Sequence, residues 1–254
     1  VHPIEIEFQD VSYRYPGSNQ DAVSHASFRI RQGQSLALVG PNGSGKSTMI
    51  KLLCRLYTPT AGRILLNGVD IALLDHREYI ALLSVVFQDL KLFSFSIGEN
   101  LSADSNYDRA KAQAAMETVG LGAYLASLED GLDTYLHKDY VKKGVNVSGG
   151  EAQKIAIARA VYKDAPVYVF DEPTASLDAI AEAEVYRHFH TIRTNKTSIF
   201  ISHRLSSCRF CDEIIVLDHG AIVQTGSHDA LVKVENGLYH TLWQTQAQYY
   251  VEET

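Results

Sequence analysis

Within nine positions, Gly40-Pro41-Asn42-Gly43-Ser44-Gly45-Lys46-Ser47-Thr48 combine an ammonium group, hydroxyls and three glycines. They fit G-x-x-x-x-G-K-[ST], the P-loop, whose backbone N–H groups curl around phosphate oxygens while the following helix adds the positive end of its dipole. In such a loop Lys46 bridges the β- and γ-phosphates and the Ser47 hydroxyl ligates Mg²⁺. The chemistry implied is capture of a nucleoside triphosphate. A metal held in this way needs an acidic partner, and Val167-Tyr168-Val169-Phe170-Asp171-Glu172 supplies one at the end of an apolar run. Asp171 is placed to hold Mg²⁺, directly or through water. Glu172, on the opposite side of the pleat, is placed to act as general base or to orient an attacking water.

A third segment, Asn146-Val147-Ser148-Gly149-Gly150-Glu151, reads as a helix start bare of side chains, so that an anion can approach. It also has the form of a capping box, with Ser148 at N-cap and Glu151 at N3, before the apolar-periodic residues Ile155, Ala158 and Val161.

These groups need elements to position them. Leu36 to Val39 is an unbroken apolar run, as a buried parallel strand should be, and Met49, Ile50, Leu52, Leu53 and Leu56 give the next segment a helical apolar face. Strand, glycine loop and helix therefore follow in the order a P-loop requires. Ile4, Ile6 and Phe8 alternate with polar residues, and Val11, Tyr13 and Tyr15 do the same, which predicts antiparallel strands in the first thirty residues. Asn67-Gly68 signals a hairpin after Arg63 to Leu66. From about residue 91 to 153 the pattern turns helical, with a helix over Ala110 to Val119 and Gly120 as its C-cap. Apolar strands follow at Val167–Phe170, Ser198–Ile201 and Ile214–Leu217, with helical segments between the first two. The fold class is an α/β core interrupted by a helical insert.

Together, Gly40 to Thr48, Ser148 to Glu151 and Asp171-Glu172 resemble the nucleotide-binding domain of ABC (ATP-binding cassette) proteins, and the likeness covers nearly the whole chain. Gln88, in Val85-Val86-Phe87-Gln88-Asp89, resembles the glutamine that lies near Mg²⁺ and the γ-phosphate and relays their state to a transmembrane partner. His203, after Ile201-Ser202, resembles the switch histidine that contacts the γ-phosphate, and Asp178 resembles the aspartate of the D-loop. Tyr15 resembles the aromatic residue that stacks on adenine. The resemblance implies a P-loop NTPase core of RecA-like type with an N-terminal antiparallel β-subdomain and an inserted α-helical subdomain. It also implies one domain over residues 1–254, with residues 1–90 and 154–254 as the ATP-binding core and 91–153 as the helical subdomain. ATP and Mg²⁺ are the implied cofactors. Gly40, Pro41, Asn42, Gly43, Ser44, Gly45, Lys46, Ser47, Thr48, Gln88, His203 and Tyr15 contact ATP. Ser47, Gln88 and Asp171 attend the metal, and Lys46, Gln88, Glu172 and His203 are catalytic. By the same resemblance Ser148, Gly149, Gly150 and Glu151 form a signature presented in trans. Two domains meet head to tail as a homodimer or pseudo-dimer around two ATP molecules, and hydrolysis requires partnership.

Leu92 to Asn100, and the tail through Gly237-Leu238-Tyr239 and Leu242-Trp243, resemble exporter-type cassettes. A chain beginning Val1-His2 without methionine reads as a piece of a longer polypeptide, with transmembrane helices preceding Val1 and this part at the cytoplasmic face of a membrane. Other readings are a soluble ABC ATPase acting on nucleic-acid or ribosomal complexes, and the separate ATPase subunit of an importer. Three departures stand out. Glu151 replaces the usual glutamine, Lys142 stands where exporters often have glutamate, and Ala175-Ser176 precede Leu177-Asp178 where the family more often has Ser-Ala.

Composition narrows the remaining classes. The formal charge of −7, with no long basic run, argues against a nucleic-acid-binding stripe. No apolar run approaches the roughly 18 residues of a membrane span, and nothing resembles a signal peptide, so this stretch reads as soluble. Cys208 and Cys211 form C-x-x-C, but neither a second pair nor a histidine cluster completes a zinc site. The three cysteines read as reduced and structural, consistent with a cytosolic setting.

Overall fold

A computed structural model describes residues 3–137, 143–173, 185, 196–202 and 205–252. Two compact units divide the chain. The first joins Val1–Leu83, Pro166–Asp171 and Asn195–Thr254, and the second joins Ser84–Ala165 and Glu172–Thr194.

In the first unit, the strands β1 (Ile6–Tyr13), β2 (Val23–Ile30), β4 (Ala61–Leu66) and β5 (Val69–Asp70) form an antiparallel sheet in the order β2-β1-β4-β5. The two alternations in the sequence belong to one strand, β1. Its pairing with β2 shifts register between Phe8 and Val11, and Asp10 takes φ 52°. The extra residue of this bulge lets Phe8 and Val11, an odd number of positions apart, both be buried. At Asn67-Gly68 both residues take positive φ, and the turn they form closes the Leu66–Val69 pair.

The first unit also carries a largely parallel sheet. In it β3 (Ser35–Val39) lies between β8 (Thr197–Ile201) and β9 (Glu213–Asp218), and β7 (Val167–Asp171) pairs with β8. Every residue of β3, β7 and β8 is buried, as continuous apolar runs require. Strand β6 (Leu83–Val86) begins on the last residue of the unit's first segment. At an edge of the sheet β10 (Ala221–Gly226) runs antiparallel to β9. The sequence reading has no place for β10, because none of its residues is buried and it lacks a strong apolar alternation. The local signal is the turn His219-Gly220, where both residues have positive φ.

Helix α1 (Lys46–Leu53) leaves the P-loop after β3 and buries Met49, Ile50, Leu52 and Leu53. Tyr79, in α2 (His76–Ala81), is 1% exposed and donates its hydroxyl to the Leu53 carbonyl at 2.6 Å, fixing the end of α1. Cys54 is buried here. Cys208, the last residue of α7 (Leu205–Cys208), and Cys211 are buried too, and burial pushes the Cys208 thiol up to about 12. Free, buried thiols match the structural role read from the sequence. Near the C-terminus, His228 of α8 (His228–Leu231) and Tyr239 of α9 (Leu238–Glu252) are joined at 2.9 Å between Nδ1 and the hydroxyl.

The second unit is helical. Its helices α3 (Ile97–Ser102) and α4 (Arg109–Thr118) pack on α6 (Gly149–Lys163), and α5 (Gly122–Ser127) packs on α4. After α4, the Gly120 N–H donates to Glu117 O and the Leu121 N–H to Met116 O, the paired bonds of a Schellman motif. Gly120 is thus the residue after the cap Val119. Among the described residues no helix is long and apolar enough to cross a membrane.

Ser96 closes a complete capping box with Glu99 at the start of α3 and is 5% exposed. Ser96→Ala should therefore lower stability by about 1 kcal/mol, read as a fall in the midpoint of denaturant unfolding. An unchanged midpoint would mean that α3 does not depend on this cap.

Candidate functional site

Lys46 is 5% exposed, and its ammonium donates to Gly40 O at 2.8 Å and Pro41 O at 2.9 Å. A buried cation held by two carbonyls keeps the loop curled around it. Gly40 and Gly45 take φ values of 151° and 103°. A Cβ at Gly40 would overlap the carbonyl oxygen of Leu217, and one at Gly45 that of Ala22, so the path of the loop admits no side chain at either point. Gly45 is also the N-cap of α1 and brings no side-chain cap, which leaves the helix start open to an anion. Ser44 Oγ is buried without a hydrogen-bond partner among the described residues. Native proteins seldom leave such a group unsatisfied, and a phosphate oxygen suits it.

Ser47 donates its hydroxyl to Asp171 Oδ1 at 3.2 Å, and Asp171 is 3% exposed at the end of β7. The first unit thus brings together two groups that the sequence reading assigned to the metal. A hydroxyl and one carboxylate, both hard oxygen donors, suit Mg²⁺, which takes few protein ligands and completes its shell with water and phosphate oxygens. Beside them the Tyr15 hydroxyl lies 3.0 Å from Thr48 Oγ1. The Tyr15 ring stands edge-on to Tyr13 and Tyr57 and remains partly exposed. An anchored aromatic ring next to the phosphate loop can stack on a flat base.

In the second unit, Glu172 adopts φ 51°, a left-handed conformation uncommon for a residue with a side chain. This corrects the sequence expectation about its direction, because the turn, and not the alternation of the pleat, aims its carboxylate. Gln153, 2% exposed on α6, donates Nε2 to the Glu172 carbonyl at 3.4 Å. The sequence reading passed over Gln153, whose one local signal is a polar residue on the buried face of a helix. Gln88 is exposed just beyond β6. Asp178, His203 and residues 138–142, including Lys142, lie outside the described residues.

At the start of α6 the capping box is complete. The Glu151 N–H donates to Ser148 Oγ at 3.2 Å, while the Ser148 N–H and hydroxyl donate to Glu151 Oε2 at 2.7 and 2.9 Å. The Ser96 box has the same bonds, so the box alone marks no site. The two differ in exposure. Ser96 is buried, whereas Ser148 and Gly149 are exposed, and two glycines leave the first turn bare. A groove of about 350 Å³ in the same unit, lined by Phe93, Phe95, Asn100 and Arg159 among others, includes none of these residues.

A sequence model of the ABC transporter family matches residues 23–175, more than half of the chain. The chain belongs to the ABC transporter family. As an ABC domain it is an ATP-binding ATPase domain. Its relatives include an ATP-dependent lipid A-core flippase of Burkholderia orbicola (strain AU 1054), 40% identical over 244 residues, which cover 96% of this chain and 40% of that protein. The subtilin transport ATP-binding protein SpaT of Bacillus subtilis is 38% identical over 237 residues, covering 92% of this chain and 38% of that protein. Among solved structures, a bacterial Atm1-family ABC exporter with ATP bound matches with a TM-score of 0.89 at 36% identity, over 97% of this chain and 42% of that one. The ABC domain described here thus spans about two fifths of the length of these relatives.

Lys46→Ala removes the loop latch and, with it, the cation that the P-loop motif offers to phosphate. ATP affinity, measured by calorimetric titration, should fall by about tenfold or more, and undiminished affinity would count against this use of the P-loop.

Proposed function

We propose that this chain is the motor domain of an ABC exporter, hydrolysing ATP to drive a substrate across a membrane. The observation that carries the catalytic part is the Ser47–Asp171 contact beside the buried Lys46, followed at once by Glu172 in its left-handed turn. The transport part rests on the flippase, subtilin-transport and exporter relatives, all more than twice as long as this chain. Transmembrane segments of the full protein are the proposed partner, and the cytoplasmic face of the membrane is the proposed location. Within the domain, residues 1–90 and 154–254 act as the ATP-binding core and 91–153 as the helical subdomain that carries the signature.

In the proposed reaction, Lys46 exchanges the Gly40 and Pro41 carbonyls for the β- and γ-phosphate oxygens. Mg²⁺ held by Ser47, Asp171 and Gln88 would neutralise charge on those oxygens. Glu172 accepts a proton from water as the water oxygen bonds to the γ-phosphorus. The bond from that phosphorus to the β–γ bridging oxygen breaks, and ADP and phosphate leave. His203 contacts the γ-phosphate, and Tyr15 stacks on adenine. Ser148 and Gly150 of a second domain complete the site. ATP then favours the closed pair through contacts that hydrolysis removes, and the difference between the two states sets the force available.

Glu172→Gln should keep ATP binding, lower turnover by about a hundredfold or more, and trap a dimer visible by size-exclusion chromatography with ATP. Normal turnover in that variant would remove Glu172 from the catalytic role. Glu151 poses a separate question, since it holds the Ser148 hydroxyl and brings negative charge to where a partner's γ-phosphate docks. Glu151→Gln keeps the cap and removes the charge. ATP-driven dimerisation should be maintained or raised, and a marked loss would show that the carboxylate is required.

A further inference from the structure

We propose that Gln153 is a positioning residue for the Glu172 carboxylate, an inference that rests on Glu172 being the general base. Glu172 stands immediately after the last residue of β7 and immediately before Pro173. A residue preceding proline is pushed toward extended backbone by the ring, yet Glu172 has φ 51°. Such a conformation costs energy and persists only where surrounding groups hold it. The peptide that links Glu172 to Pro173 has a carbonyl and no N–H, so hydrogen bonding can fix its plane only through that oxygen.

The Gln153 side chain meets this need. It is 2% exposed, it belongs to the second unit with Glu172, and its Nε2 donates to the Glu172 carbonyl at 3.4 Å. A buried amide on a rigid helix restrains the Glu172–Pro173 peptide, and rotation of that peptide would swing the Glu172 carboxylate. The same helix, α6, starts at the box formed by Ser148 and Glu151. One rigid element therefore carries both the signature and the donor that restrains the general base. Strain on the helix start has a path to Glu172 through the bond from Gln153 Nε2 to the Glu172 carbonyl.

The test uses the full-length protein. Gln153→Met keeps the volume and removes the donor. Its kcat should fall about tenfold or more, with the KM for ATP within about twofold and the melting temperature nearly unchanged, because misdirecting a catalytic group affects the chemical step. In a Glu172→Gln background the same change should cost no further turnover. Gln153→Glu adds a second readout: an ionised carboxylate cannot donate to the Glu172 carbonyl, but a protonated one can. Its turnover relative to the unsubstituted protein should thus recover as pH falls. The inference is overturned by Gln153→Met at full kcat, by equal losses with and without Glu172, or by a rise in KM alone. If Gln153→Met fails to fold, a flat pH ratio for Gln153→Glu overturns it. Normal turnover in Glu172→Gln instead rejects the general-base reading beneath it, so the two failures are distinguishable.

Discussion

Gly40 lies so close to the carbonyl of Leu217, and Gly45 to that of Ala22, that a methyl group at either position would overlap a backbone oxygen. The phosphate loop is thus shaped from outside. Leu217 belongs to β9, and the turn after it returns through Gly220, whose N–H donates to Ser44 O at 3.2 Å and whose carbonyl accepts from the Ser24 N–H at 2.8 Å. Segments distant in sequence press on both flanks of the loop, and Lys46 ties its start from within. A cradle held in this way does not have to be ordered by the nucleotide, so less binding energy is lost to ordering. The positions of Ser47, Thr48 and Tyr15 follow from the loop, since α1 begins where the loop ends.

How much of this was legible depended on whether neighbours in sequence decide the outcome. Strand β3, the P-loop and α1 could be read directly, because an apolar run, a glycine pattern and a helical apolar face follow one another. The Asn67-Gly68 hairpin was legible for the same reason, since its turn is encoded by two residues. The bulge at Asp10 was visible only as two alternations out of phase, and a single strand accounts for both once register can shift. Strand β10 escaped notice because an edge strand with one half-exposed face carries little apolar periodicity.

At the site, residue types were legible and directions were not. Asp171 was read as a metal ligand from its strand end, and the structure places its carboxylate against the Ser47 hydroxyl. Glu172 was aimed by pleat alternation, a rule that stops where the strand stops. Gln153 had no motif to announce it, because its partner is a main-chain oxygen supplied by another segment. The two capping boxes mark the same limit. Ser96 and Ser148 have the same local bonding, and only their surroundings separate a buried cap from an exposed glycine-led helix start.

The burial of the cysteines has a practical consequence. Thiol reagents attack the thiolate, and Cys54, Cys208 and Cys211 are all enclosed, with Cys208 held protonated far above neutral pH. The native chain is therefore a quiet background for maleimide chemistry. A single cysteine introduced on the exposed turn at Gly149 or beside Tyr15 could carry a fluorophore or spin label, and distances between labelled copies of this domain could be followed without first replacing its three cysteines.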